Sequence, residues 1–228
     1  MDGRPSGGDV AIAVIGGTGH QGFGLAVRWG AAGLAVAIGS RSPQRAEAAA
    51  ARAREIVGRV RGTPPPVVGY DNIEAARLAP VVVVTVPAGA HAATLEALAP
   101  AVGGKVLVDC TVPLDRNPAY AVQLPEGSAA QAAQRILGPG TPVVGAFHTV
   151  PASLLQDLAR PVDCDVLVCG DDREAKARVV ELARAIGARA VDVGTLRQAH
   201  TLERLTALLI GVGRRTGRHE LGVRITGL

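Results

Sequence analysis

The fold is decided by residues 10–22, which read VAIAVIGGTGHQG. The unbroken apolar run Val10–Ile15 is typical of a strand that is covered on both faces, as in a parallel sheet. Directly after it, Gly17, Gly19 and Gly22 have the G-x-G-x-x-G spacing of dinucleotide-binding turns. The stretch therefore predicts a strand, a phosphate-binding turn and the first turn of a helix.

Each of these glycines has a role in such a turn. Gly17 permits the tight turn, Gly19 lets the backbone approach a pyrophosphate, and Gly22 lets the helix pack on the strand. The helix start also presents unpaired N–H groups and a positive partial charge to phosphates. An ordinary glycine-rich turn is the alternative, but a position between strand and helix, near the start of the chain, favours a dinucleotide.

The second apolar run predicts which dinucleotide binds. It ends in Gly39-Ser40-Arg41-Ser42, where a protein that uses NAD usually carries an acid for the ribose hydroxyls. Arg41 can stack on adenine and pair with a 2′-phosphate, Ser40 can hydrogen-bond that phosphate, and Arg45 adds charge one helical turn later. The sequence predicts NADP(H), although solvated arginines at a helix start would give the same pattern.

Apolar runs and helical stretches alternate along the rest of the chain. This alternation predicts an α/β fold, a Rossmann-type doubly wound parallel sheet with a small C-terminal α/β domain. The predicted strands after the first are Leu34–Gly39, Val67–Gly69, Val81–Val86, Lys105–Cys110, Val143–Phe147, Asp165–Gly170 and Ala190–Val193. The predicted division is a disordered leader over 1–9, an NADP-binding domain over 10–149 and a small domain over 150–228.

Two further strand ends carry candidate site residues, because ligands of such sheets bind beyond the carboxyl ends of the strands. Val86 and Pro87 stand at the end of the fourth strand and are expected to touch the nicotinamide ribose, unless they form a plain proline turn. His148 follows the sixth strand and is the candidate catalytic residue, able to bind or protonate a substrate. A histidine packed at a domain junction is the equally open alternative.

Composition argues against several classes of protein. The 228 residues are 48% hydrophobic and 19% charged, which excludes wholesale disorder. Aromatic residues make up 2% and the net charge is +4, so no nucleic-acid partner is expected. The three cysteines, Cys110, Cys164 and Cys169, have no paired spacing, which indicates a reducing compartment and no metal site, and Cys164 and Cys169 are predicted to be buried structural thiols. No targeting segment or membrane-length apolar run occurs, so a cytoplasmic protein without a membrane partner is predicted.

The chemistry that the sequence favours needs few acid–base groups. No serine-hydrolase, zinc-protease or Walker motif occurs, and the chain has only two lysines, Lys105 and Lys176. A chain with so few acid–base groups suits direct hydride transfer between two organic cofactors, in which the protein aligns the two cofactors.

The stretch IAVIGGTGHQGFGLAVRWGAAGLAVAIGSRSPQRAE, from residue 12, resembles the start of the NADPH-dependent coenzyme F420 reductases. Similar segments follow in the family's order: VTVP at 84–87, AFHTVPA at 146–152, VLVCGDD at 166–172, LTALL at 205–209 and HELG at 219–222. The resemblance implies a Rossmann domain with a small C-terminal domain, a homodimer, and reversible hydride transfer between NADP(H) and the deazaflavin F420.

The resemblance also implies two sets of contacts. The NADP contacts would be Thr18, Gly19, His20, Gln21, Ser40, Arg41, Arg45, Val86 and Ala146, and the deazaflavin would lie near Val144, His148 and Thr206. Arg204 stands two residues before Thr206, where a small hydroxyl side chain is expected. It could bind the acidic tail of F420 from the pocket rim, fill the pocket, or face elsewhere, because the two residues are about 200° apart around a helix.

The sequence leaves open the identity of the hydride acceptor and whether the protein is an enzyme. The acceptor could be a different flavin, a pterin or an imine. A non-catalytic NADP(H)-binding regulator is the alternative to an enzyme, and it would bind NADPH without consuming it.

Overall fold

The computed structural model describes residues 10–62 and 66–228. The predicted leader, residues 1–9, lies outside the described residues. The strands of the described part are β1 (Ile12–Ile15), β2 (Val36–Ser40), β3 (Val67–Asp71), β4 (Val81–Val84), β5 (Val106–Asp109), β6 (Val143–Gly145), β7 (Asp165–Gly170) and β8 (Arg189–Asp192).

These strands form one sheet in the order β3-β2-β1-β4-β5-β6-β7-β8. The first six strands are parallel, and 3-2-1-4-5-6 is the doubly wound order in which ligands bind beyond the carboxyl ends of the strands. β7 is antiparallel to β6, and β8 is parallel to β7. The predicted Rossmann-type α/β fold is confirmed, and the order changes direction between β1 and β4.

The helices of the described part cover both faces of this sheet. They are α1 (His20–Ala31), α2 (Pro43–Arg61), α3 (Asn72–Leu78), α4 (Ala88–Val102), α5 (Ala129–Leu137), α6 (Ala152–Gln156), α7 (Arg173–Ala185) and α8 (Ala199–Thr216), with a 3₁₀ turn at Leu196–Gln198. Side-chain oxygens of Ser42, Asp71, Ser128 and Asp172 cap α2, α3, α5 and α7 at their N-termini. None of the helices in this part of the chain is long and apolar enough to span a membrane.

α1 is fixed against the polypeptide that follows β6. Arg28 is buried and donates hydrogen bonds to the carbonyl oxygens of Leu154, Leu155, Asp157 and Arg160, at 2.5–3.1 Å. A Cβ at Gly24 would lie 2.6 Å from Leu155 Cβ, so α1 and α6 meet closely because Gly24 has no side chain. The sequence analysis did not predict α6, since five residues after a proline carry no helical periodicity.

The C-terminal part is joined by hydrogen bonds to the part of the chain that forms the first six strands and their helices. The indole N–H of Trp29, on α1, donates to the carbonyl oxygen of Leu182, on α7, at 2.9 Å. Beyond the β6–β7 pairing, the Cys169 thiol lies 3.6 Å from the carbonyl oxygen of Gly145. A division at residues 149 and 150 stays a prediction, because one sheet runs through both parts. Cys164 and Cys169 are buried, as predicted, and Cys110 is also a buried free thiol.

Candidate functional site

The glycine turn between β1 and α1 is built on the backbone of neighbouring strands. The N–H groups of Gly16 and Gly17 both donate to the carbonyl oxygen of Gly39, each at 3.1 Å, and the N–H of Gly19 donates to that of Gly16 at 2.9 Å. The left-handed backbone that the turn needs falls at Gly16, with φ 75°, one residue before the Gly17 to which the sequence analysis assigned it.

The other glycines of the turn are required for different reasons. A Cβ at Gly17 would lie 2.8 Å from the carbonyl oxygen of Val14, and a Cβ at Gly22 would overlap the hydroxyl of Thr85. Near Gly19, in contrast, a Cβ would meet only the carbonyl oxygen of Gly16, at 3.4 Å. Gly17 and Gly22 thus serve packing, whereas the space above Gly19 is open.

The first turn of α1 is open to an anion. Gly19 is the N-cap residue of α1, and no side chain caps this end of the helix. Gly19 and His20 are exposed, and Thr18 and Gln21 are half-buried. Free N–H groups at the N-terminus of a 12-residue helix beside an uncrowded glycine fit the pyrophosphate of a dinucleotide.

The end of β2 carries positive charge. Ser40 is buried at the last position of the strand, and Arg41 and Arg45 are exposed beyond it. Asp71 pairs in register with Ser40 from β3, but its carboxylate accepts the N–H groups of Ile73 and Glu74 at the start of α3, each at 2.9 Å. That carboxylate therefore caps a helix, and two guanidinium groups remain for a phosphate.

The third side of the turn is formed by the residues after β4. The N–H and the hydroxyl of Thr85 both donate to the carbonyl oxygen of Ile15, each at 2.9 Å. Val86 lies so close that a Cβ at Gly16 would meet its Cγ1 at 2.9 Å, whereas Pro87 is exposed at the start of α4. Val86 is therefore beside the glycine turn, as a contact to the dinucleotide requires.

A second site opens next to the glycine turn. It is a cavity of about 480 Å³, within the range of small-molecule sites. It brings together three predicted site residues, Gln21, His148 and Thr206. The other residues that line it are Thr149, Val150, Pro151, Ala152, Leu209, Ile210, Gly213, Arg214, Arg218, His219 and Leu221.

His148 is held in this cavity by strained backbone. Phe147, just before it, has φ 63°, a left-handed conformation that is rare for an aromatic residue. Gln21 donates to the carbonyl oxygen of Phe147 at 3.0 Å, and the ring of Phe147 packs edge-on against Trp29 at 5.6 Å between centroids. The first turn of α1 thus fixes the loop that carries His148.

The imidazole of His148 is buried and unpartnered. Neither ring nitrogen has a hydrogen-bond partner in the described residues, although His148 is only 7% exposed. Burial lowers its pKa to about 4, against the opposing effect of the nearby Asp109 carboxylate. A neutral imidazole with two free nitrogens at a cavity wall can donate or accept a hydrogen bond to a bound molecule.

Buried acid groups lie behind the cavity, and the sequence analysis did not find them. Asp109 Oδ2 is 2.5 Å from His91 Nε2, and Asp109 Oδ1 accepts the N–H of Thr111 at 2.8 Å. Glu203, on α8, accepts the N–H of Ala129 at the start of α5 at 2.8 Å, and burial raises the pKa of Glu203 to about 8. Burial of a carboxylate depends on the tertiary fold, so no spacing in the sequence signals it.

Three other predicted residues lie outside this cavity. Val144 is fully buried in β6 between β5 and β7, and Ala146 is buried with its N–H donating to the carbonyl oxygen of Asp109 at 3.2 Å. Arg204 donates to the side-chain oxygen of Gln123 and is not among the lining residues. The guanidinium groups on the lining are instead those of Arg214 and Arg218, with His219 beside them.

Comparison with known proteins finds relatives along nearly the whole chain. A family model described as "NADP oxidoreductase coenzyme F420-dependent" matches residues 11–113. The F420-dependent NADP reductase of Methanothermobacter thermautotrophicus is 45% identical over 223 residues, which cover 95% of each chain. That of Methanocaldococcus jannaschii is 41% identical over 222 residues, which cover 95% of this chain and 98% of that one.

A solved structure has the same fold over nearly the whole chain. It comes from Arthrobacter sp. FB24, and its assignment as an F420-dependent NADP reductase is provisional. Its TM-score is 0.79 at 29% identity, and the match covers 95% of this chain and 99% of that one.

The fold and the site together define the class of protein. A doubly wound sheet with a glycine turn, and a second cavity that shares Gln21 with that turn, is the arrangement of a dinucleotide-dependent oxidoreductase. With relatives more than 40% identical along its length, the chain belongs to the F420-dependent NADP reductase family.

Proposed function

We propose that this enzyme transfers a hydride between NADPH and coenzyme F420, with the dinucleotide on the glycine turn and the deazaflavin in the 480 Å³ cavity. One observation carries the proposal. Gln21 both follows the glycine turn, in the first turn of α1, and lines the cavity that holds His148 and Thr206. Two ligands bound at these places would adjoin each other there.

The residues around the glycine turn would hold the dinucleotide. The pyrophosphate fits the uncapped start of α1 above Gly19, where a Cβ would meet only one backbone atom. Arg41 and Arg45 would bind the 2′-phosphate at the end of β2, and Ser40 would add a hydrogen bond. Val86 would contact the nicotinamide ribose, since it lies against Gly16.

The residues of the cavity would orient the acceptor. The nicotinamide supplies a hydride and the deazaflavin ring accepts it, so the protein needs to align two rings and keep water out. Val150, Leu209 and Ile210 offer an apolar surface to a ring system, and one unpartnered ring nitrogen of His148 would hydrogen-bond its polar edge. Because burial lowers the pKa of His148 to about 4, its ring is neutral over the physiological pH range and would act there as a hydrogen-bond partner.

Oligomeric state and location belong to the same proposal. A homodimer would cover Leu208, Tyr120 and Val122, three large apolar side chains that are 45–64% exposed on α8 and on the segment that packs beside it. Light scattering on the purified protein would measure the dimer mass. A cytoplasmic location stays a prediction from the sequence.

The experiment that tests the function is an acceptor panel. Purified protein is mixed with NADPH and, separately, with F420, FMN, FAD and a pterin, and NADPH consumption is followed by absorbance. We expect rapid turnover with F420 alone. Turnover with another acceptor and none with F420 would assign a different reductase, and tight NADPH binding without any turnover would assign a regulator.

A further inference from the structure

The cavity side of α8 ends in a positively charged residue. Thr206, Leu209, Ile210 and Gly213 line the cavity at helical spacings of three and four, so they lie on one side of the helix. Arg214 lines the cavity as the next residue along this side. At about 100° per residue, Arg215 lies about 180° from Thr206, on the opposite side of α8.

The chain after α8 folds back and adds a second guanidinium group to the edge of the cavity. We call this edge, formed by Arg214, Arg218 and His219, the rim. Gly217 has φ 67°, the left-handed conformation that ends a helix, and the N–H of Arg218 donates to the carbonyl oxygen of Gly213 at 3.0 Å. The return is tight, because a Cβ at Gly213 would overlap the carbonyl oxygen of Arg218. Arg218 and His219 therefore reach the cavity lining next to Arg214.

The charge on this rim is not neutralised within the described residues. Arg214 is exposed and donates to the neutral side-chain oxygen of Asn117 at 3.1 Å. The nearby carboxylate of Glu220 is paired with Arg160 at 2.5 Å, and no acidic residue lines the cavity. A cleft lined by uncompensated charge of one sign attracts a ligand of the opposite sign.

We propose that Arg214 and Arg218, with His219 beside them, form a subsite for the anionic tail of the hydride acceptor, its phosphate or its carboxylates. The inference rests on the proposed function, since the ring of that acceptor would occupy the apolar part of the same cavity. Guanidinium groups suit this task because their planar donors bind phosphate and carboxylate in pairs. The subsite differs from the Arg204 site that the sequence suggested, since Arg204 is bonded to Gln123.

The rim predicts discrimination among acceptors by their charge as well as by their rings. A deazaflavin alcohol that lacks the phosphate and glutamate tail would still fill the apolar part of the cavity, but it would gain nothing from Arg214 and Arg218. The three neutral contacts Val150, Leu209 and Ile210 would serve both acceptors equally.

The experiment compares a double variant with a matched control. Arg214→Gln/Arg218→Gln removes both guanidinium groups from the rim, and Arg215→Gln removes an exposed guanidinium from the opposite side of α8. The Michaelis constants for F420, for the tail-less deazaflavin alcohol and for NADPH are measured for each protein, at low salt and at high salt.

We expect the double variant to raise the Michaelis constant for F420 by about tenfold at low salt, and by less at high salt, where exposed charges are screened. The constants for the tail-less acceptor and for NADPH stay the same, and Arg215→Gln changes none of them. Circular dichroism and the unchanged NADPH constant verify that the double variant is folded.

Three results would overturn the subsite. These are an unchanged constant for F420, an equal rise for the tail-less acceptor, and an equal rise in Arg215→Gln, which would indicate a general charge effect. A wild-type protein that does not reduce F420 overturns the proposed function and the subsite together. An active wild type with an insensitive double variant overturns the subsite alone.

Discussion

At the end of β2, two exposed guanidinium groups stand where a protein that uses NAD usually carries a carboxylate. The one acidic residue in register there, Asp71, caps α3 with its carboxylate. Since the Asp71 carboxylate is directed at the start of α3, we expect attraction by Arg41 and Arg45 to decide the choice of dinucleotide.

Replacing Arg41 should alter that choice. A charge-assisted hydrogen bond is worth roughly 1.5–3 kcal/mol, so Arg41→Ala should weaken NADPH binding by about 10–100-fold and leave NADH binding nearly unchanged. Titration calorimetry with both dinucleotides measures the two affinities. Arg178→Ala, which removes an exposed arginine from α7, serves as the control and should bind NADPH like the wild type. Equal affinity of the wild type for NADPH and NADH would contradict this assignment.

The sequence predicts some site residues more readily than others. Gly17, Gly19 and Gly22 were predicted because their spacing within six residues is typical of a dinucleotide-binding turn, although only the structure locates the positive φ at Gly16. Asp109 and Glu203 are far in the sequence from His91 and Ala129, the partners that they meet only in the fold, so their burial could not be predicted. The position of Arg218 at the cavity could not be predicted either, because it depends on the chain reversal at Gly217.

Among the elements, α8 combines two tasks. Its cavity side carries Thr206 and Arg214, and its buried Glu203 caps the start of α5 through the N–H of Ala129. That hydrogen bond favours the ionised carboxyl group, but burial opposes it more strongly, and the pKa of Glu203 is raised to about 8. The apolar pattern of residues 196–212 indicates a packed helix but gives no sign that an acid lies in its contact with α5.

The raised pKa of Glu203 predicts how stability changes with pH. The unfolded chain releases the proton near the ordinary pKa of 4.5, whereas the folded chain keeps it up to about 8. The contribution of Glu203 is therefore complete below that lower value and is lost as pH rises towards the upper one. At about 1.4 kcal/mol for each pKa unit, the loss is on the order of 5 kcal/mol at most across that window.

Glu203→Gln should remove this pH dependence. Glutamine keeps an oxygen that can accept the N–H of Ala129 but cannot ionise, so the variant should gain stability over the wild type as the solution becomes more alkaline. Urea unfolding at several pH values measures the difference in the free energy of unfolding. Glu96→Gln, at an exposed position on α4, is the matched control. A constant difference between wild type and Glu203→Gln at every pH would show that Glu203 is ionised in the fold.

In the whole molecule, the sequence predicted the order of strands and helices better than their junctions. Continuous apolar runs mark β1 and β4, because parallel strands are buried on both faces, whereas β3 and β8 were predicted although they are partly exposed. The pairing of β7 with β6 in antiparallel sense was not predicted, since register between distant strands has no local signal. That pairing makes the C-terminal part an extension of the sheet.

The extended sheet predicts cooperative unfolding of the whole chain. Trp29, the single tryptophan, lies at the junction, because its ring packs on Phe147 and its N–H bonds to Leu182 on α7. Tryptophan fluorescence therefore reports the junction, while far-ultraviolet circular dichroism reports the helices of both parts. We expect the two signals to change in one coincident transition in urea, because neither part keeps its bonds when the other unfolds.

Removing the hydrogen bonds of Arg28, on α1, should show that contacts between the two parts of the chain supply the cooperativity. Arg28→Met removes four hydrogen bonds to the carbonyl oxygens after β6 and keeps a long apolar side chain, so the fluorescence transition should move to lower urea. If α1 joins both parts into one unit, the circular dichroism transition moves with it. A fluorescence transition that precedes the loss of helix in the wild type would instead make residues 150–228 an autonomous domain.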